Sequence, residues 1–82
     1  MDNIVDYTLF LVKSVATYSD MVSVKEIGSE EELVNLEVLV KESDMGAVIG
    51  KNGSTAKAIR TLVQAYSYLH DKKKVKINID SF

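Results

Sequence analysis

Residues 48 to 63 read V-I-G-K-N-G-S-T-A-K-A-I-R-T-L-V, a glycine-bracketed loop that runs straight into a stretch with helical spacing. Gly50 and Gly53 flank two polar residues, Lys51 and Asn52. Glycine at both ends lets the backbone take φ > 0 and lets another chain approach without meeting a Cβ. A helix starting at Ser54 turns its first free N–H groups and positive dipole end toward the loop, an arrangement that favours phosphate oxygens. Lys51 adds a mobile cation at the tip, and the apolar pair Val48-Ile49 anchors the other side. Lys57 and Arg60, three residues apart, point roughly the same way on the helix. With Lys51 they can meet successive phosphates. The plainer alternatives stay open: a bare G-x-x-G is also an ordinary turn between helices, and Lys57 with Arg60 is also a solvated helix face.

Outward from the loop, the helix extends to about Leu69, with Ile59, Leu62, Val63, Tyr66 and Leu69 at helical spacing toward a core. Upstream, Ser43 is expected to cap one short helical turn through Val48. Leu33 to Lys41 alternates, with Val34, Leu36, Val38 and Val40 on one face and Asn35, Glu37 and Lys41 on the other, the pattern of a half-buried strand. Met21 to Ile27 reads as its antiparallel hairpin partner, with Gly28-Ser29 opening the turn and Glu30 to Glu32 a solvated loop. Lys72 to Lys74 form a basic connection, after which Val75, Ile77 and Ile79 alternate with Lys76, Asn78 and Asp80 as the last strand. At the other end, Asn3 caps a helix to about Ala16 or Thr17. Its apolar arc of Ile4, Val5, Thr8, Leu9, Leu11, Val12, Val15 and Ala16 is wide for a helix with one buried side. Phe10 widens it further and is the residue to suspect of an interface. The order α-β-β-α-α-β predicts a two-layer α+β sandwich, three strands on one side and helices packed on one face. At 82 residues the chain has room for one domain, 1–82.

The net charge of −2 argues at first against a polyanionic partner. Residues 1 to 44, however, hold three basic and ten acidic side chains, a balance of −7, and residues 45 to 82 hold seven basic and two acidic, a balance of +5. A ligand within about 8 Å of the second half meets a cationic surface whatever the total. The chain has no cysteine and one histidine, which leaves no thiolate metal site and little for imidazole chemistry, so no metal or cofactor is expected. His70 and Asp71 end a helix and Glu30 to Glu32 lie in a loop, poor ground for acid–base catalysis. His70 reads as a helix-terminal cation or capping group. Gly50-Lys51 lacks the spacing of a nucleotide-binding loop. No apolar run is long enough to cross a bilayer, and Met1-Asp2-Asn3 puts an acid where a signal peptide needs positive charge, so a cytoplasmic chain is expected.

The stretch from 48 to 63 resembles the signature of KH domains, whose G-x-x-G loop clamps about four nucleotides of single-stranded nucleic acid. The element order resembles the type II arrangement, with its extra helix and strand at the N-terminus. More closely, M-G-x-V-I-G-K-x-G-x-x-A-K-A-I-R-T from Met45 resembles the KhpA family of small, stand-alone bacterial RNA-binding proteins. The resemblance implies that Gly50, Lys51, Asn52 and Gly53 contact the RNA backbone while bases lie in an apolar groove. Val48, Ile49, Ala56 and Ile59 would line its loop side, and one face of Val34 to Val40 its sheet side. Ser54 departs from the pattern where relatives commonly carry a basic residue, and Ala56 is small where many KH domains have isoleucine. The function expected is single-stranded RNA binding of an RNA chaperone or post-transcriptional regulator. The alternative is a KH-shaped protein–protein module, acting as a homodimer or as the partner of a larger KH-domain protein. The resemblance implies both kinds of partner.

Overall fold

A computed structural model of the chain describes residues 3–70 and 72–82. Met1, Asp2 and Asp71, and with them the N-terminal charge argument and the His70-Asp71 pair, lie outside the described residues. The alternation over Leu33–Val40 forms the central strand, β2. Val34, Leu36, Val38 and Val40 are buried on one face, and Leu33, Asn35, Glu37 and Leu39 are half-buried on the other. β1 (Ser23–Glu26) pairs antiparallel with β2, placing Val24 opposite Val38. β3 (Lys74–Ser81) pairs with β2 in parallel, with Leu36 beside Ile77 and Val38 beside Ile79, in the order β1-β2-β3. A parallel neighbour needs a long crossover, which α2 (Met45–Ile49) and α3 (Ser54–His70) supply. α1 (Ile4–Val15) packs beside α3 and against β1. Ile4, Val12, Val48, Ile59 and Val63 meet the inner face of β2 and Ile77 in one apolar core. The architecture is the expected α+β sandwich of type II KH-like form. None of the described helices is long and apolar enough to cross a membrane.

At α1 the Asn3 side chain accepts the Asp6 N–H at 2.9 Å, the expected cap. The buried stripe is Ile4, Thr8 and Val12, and the Thr8 hydroxyl is satisfied by donating to the Ile4 carbonyl at 2.8 Å. Phe10 is 52% exposed and Val15 lies outside the core, so the wide arc is only partly used.

Three expectations need correction. Leu62 and Leu69 do not face the core; they are 46% and 82% exposed. The buried ridge of α3 runs through Ala56, Ile59, Val63 and Ser67. Leu62 is displaced from its mean direction by about 100° and Leu69 by about 125° around the axis. Tyr66 is half-buried and closes the α1–α3 seam, its ring stacked on Tyr7 at 4.7 Å and set against His70 at 4.3 Å. Met21 belongs to a 3₁₀ turn, Ser19–Met21, and Ile27 follows the strand, although its N–H still reaches the Asn35 carbonyl at 2.8 Å. Ser43 does not cap α2; it lies inside a second 3₁₀ turn, Glu42–Asp44.

Asp44 stands at the cap position and turns away from α2. It is 2% exposed, and its two carboxylate oxygens accept the N–H groups of Thr17 and Tyr18 at 3.0 and 2.9 Å. The Tyr18 ring lies under the Lys41 Nζ at 3.8 Å from its centroid. The chain leaving α1 is thereby tied to the start of the helix that carries the glycine loop.

Candidate nucleic-acid interface

α2 ends where the Gly50 N–H donates to the Gly46 carbonyl at 2.8 Å. The chain then reverses through three residues with positive φ: Gly50 (79°), Asn52 (56°) and Gly53 (75°). Asn52 is one of the few residue types that enters the left-handed region readily. The two glycines serve different ends. A Cβ on Gly50 would run into the Thr55 hydroxyl and lie 2.7 Å from the Thr55 backbone nitrogen, whereas a Cβ on Gly53 would meet nothing within 4 Å. Gly50 closes the loop against α3, and Gly53 turns the chain on an open side. The Gly53 N–H donates to the Gly50 carbonyl at 3.1 Å and the Ser54 N–H to that of Lys51. The Ser54 amide, the first of the free donors read from the sequence, is thus engaged inside the loop, as is that of Gly53. The exposed side chains at the tip are those of Lys51 and Asn52.

The residues read from sequence as the walls of an apolar groove are, with one exception, buried. Val48, Ala56 and Ile59 are 0 to 4% exposed, and the inner face of β2 is equally covered. These residues are core, because β2 is the central strand and the helices lie on it. Ile49 alone of the loop-side set is partly exposed. Lys57 and Arg60, both exposed, instead line an open cleft of about 460 Å³ between α3 and the edge strand β3. Gln64 crosses its floor, donating to the Lys73 carbonyl and accepting the Val75 N–H, each at 2.9 Å. The Lys74 and Phe82 N–H groups go to Glu32 and Val40, toward β2, so the alternate residues 75, 77 and 79 turn their backbone groups to the open edge beside α3. Arg60 approaches the Ile77 carbonyl at 3.5 Å.

Lys72, Lys73 and Lys74 line a second cleft of about 700 Å³ together with Glu30, Glu31 and Glu32. Three of the seven cations in the basic half thus face the acidic loop. The cations left around the glycine loop are Lys51, Lys57 and Arg60. Tyr68, read from the sequence as a surface aromatic with stacking on a base or a partner as the lesser alternative, lines both clefts. The signal was the helical spacing Lys57, Gln64, Tyr68. Gln64 and Asp44 carried no signal of their roles.

The chain matches the family model described as KhpA/KhpB, KH domain, over residues 6–79. It is 45% identical over 65 residues to the RNA-binding protein KhpA of Clostridium perfringens, covering 79% of this chain and 85% of that protein. With the RNA-binding protein KhpA of Caldanaerobacter subterraneus it shares 42% over 69 residues, covering 84% and 89%. With that of Streptococcus pneumoniae serotype 4 it shares 38% over 80 residues, covering 98% of both.

Proposed function

The chain belongs to the KhpA/KhpB family of KH domains, and from that premise we propose that it is a single KH domain, 1–82, that binds single-stranded RNA in the cytoplasm by clamping the backbone at Gly50 to Gly53. The family is one of RNA-binding proteins rather than enzymes. The observation that carries the reading is the loop itself: a reversal between two helices through three positive-φ residues, with Lys51 and Asn52 exposed at its tip. Lys51 meets one phosphate and Lys57 and Arg60 the next ones along α3, while Ile49 packs against the sugar–base side. The bases of the clamped nucleotides lie at the loop end of the α3–β3 cleft, beside Lys57 and Arg60. Such binding is led by the backbone and only modestly sequence-selective, as suits an RNA chaperone or a post-transcriptional regulator. Replacing Lys51 and Asn52 together by Asp puts two negative charges at the tip without touching the core. Binding of a fluorescent single-stranded RNA, followed by anisotropy, should then be lost with the circular dichroism spectrum unchanged. Binding equal to the parent's would remove the loop from the site.

The exposed apolar side chains support a second, compatible reading, pairing with another copy or with a larger KH-domain protein. Phe10, Leu62 and Leu69 are 52%, 46% and 82% exposed. Two copies would bring two loops to one RNA and gain by effective concentration. Light scattering across a dilution series reads this directly; a monomer at the highest concentration rules out the homodimer.

A further inference from the structure

Tyr68 is an exposed aromatic for which the loop has no use. It is 52% exposed. Lys57, Gln64 and Tyr68 are spaced seven and four residues apart, so they lie within about 20° of one line along α3, with Tyr68 about 16 Å from Lys57. All three line the α3–β3 cleft with Arg60, and none of the described residues lining it is acidic. Both ends of the Gln64 amide are engaged by the Lys73 carbonyl and the Val75 N–H. The Gln64 side chain is therefore held in place at that point. Beyond Tyr68 the second cleft begins, where Glu30 to Glu32 stand among its lining residues.

Resting on the RNA-binding reading above, we infer that the RNA track continues past the glycine loop along α3, and that the Tyr68 ring is a stacking platform for a base beyond those held at the loop. Lys57 and Arg60 guide the backbone toward it, and the cationic track ends at the second cleft, where Glu30 to Glu32 offset Lys72 to Lys74. Every base has a π-face, so the platform is tolerant of sequence and lengthens the footprint without adding specificity.

The test compares the parent, Tyr68→Ala and Tyr68→Phe on fluorescein-labelled RNA pools of random sequence, four and eight nucleotides long. An octamer offers about five registers to a four-nucleotide clamp, so every protein gains something from length. The part owed to Tyr68 is the difference between variants. The expected result is equal tetramer binding by all three proteins, octamer binding about 5-fold or more weaker for Tyr68→Ala, and full recovery in Tyr68→Phe, which keeps the ring. In the parent, the Tyr68 ring protons should shift upfield with the octamer and not with the tetramer. Equal octamer binding by Tyr68→Ala and parent overturns the platform while leaving the loop reading intact. Loss of tetramer binding by Tyr68→Ala also overturns it, since the ring would then belong to the clamp. Failure of the parent to bind either pool overturns both.

Discussion

At Gly50 two demands fall on one residue. Its φ of 79° with ψ of 171° lies in a region open essentially to glycine alone, and the space a Cβ would fill is held by Thr55. Gly50→Ala should therefore cost about 2–4 kcal/mol, from backbone strain plus overpacking. Gly53→Ala faces only the positive φ and should cost about 1 kcal/mol. Urea unfolding of the two variants checks the ranking, and equal costs would mean that Thr55 yields freely. Asp44 is the other single residue on which the site depends. Asp44→Ala leaves the Thr17 and Tyr18 N–H groups without their charged acceptor in a site 2% exposed, for an expected loss of about 3 kcal/mol in the same measurement. The need for Gly50 was legible in the sequence as a loop glycine, but not its contact with Thr55. Asp44 was one of ten acids in the acidic half, because a carboxylate bonded to amides 26 and 27 residues earlier leaves no periodic trace.

Among the elements, β2 and β3 were legible nearly to the residue, because a period of two with one face covered admits one reading of Leu33–Val40 and of Val75, Ile77 and Ile79. α3 was legible in extent and not in orientation. Its sequence carries two overlapping apolar stripes, and periodicity alone does not say which one meets the sheet. The one through Ala56, Ile59 and Val63 ends on Ser67, whose hydroxyl donates to the Lys73 carbonyl at 2.8 Å where the chain enters β3. A serine at the end of a core ridge hides the ridge from a search for apolar residues. Leu62 and Leu69 are left outside, which gives a sharp contrast in stability. Val63→Ala should cost about 2 kcal/mol through its cavity. Leu62→Gln with Leu69→Gln should change the monomer by less than about 1 kcal/mol, since glutamine and leucine have similar helix propensity. Thermal melts at two protein concentrations check both. A large loss in the double variant that grows with concentration would assign these leucines to an interface between copies. The residues read as groove walls were misjudged for the same reason as α3: Val48, Ala56 and Ile59 flank the loop in sequence, but their helices lie on the central strand and bury them.

For the whole molecule, dividing the charge by sequence halves found the right pole and overstated its size. The +5 of residues 45 to 82 includes Lys72 to Lys74, and folding sets these against Glu30 to Glu32 across one cleft. Opposite charges sharing a cleft largely cancel for a ligand a Debye length of about 8 Å away. The field an approaching RNA meets then comes from Lys51, Lys57 and Arg60, grouped on the loop and the first turns of α3. This partition is measurable as counterion release. With three phosphates neutralised at about 0.7 each, affinity should fall roughly 20-fold between 50 and 200 mM salt. Replacing Lys51, Lys57 and Arg60 by Ala should flatten the dependence almost completely. Replacing Lys72, Lys73 and Lys74 by Ala removes as much formal charge and should leave the slope near the parent's. Equal flattening by the two triple variants would mean that the acidic loop does not neutralise its partners, and that the cationic surface runs on around the molecule past Tyr68.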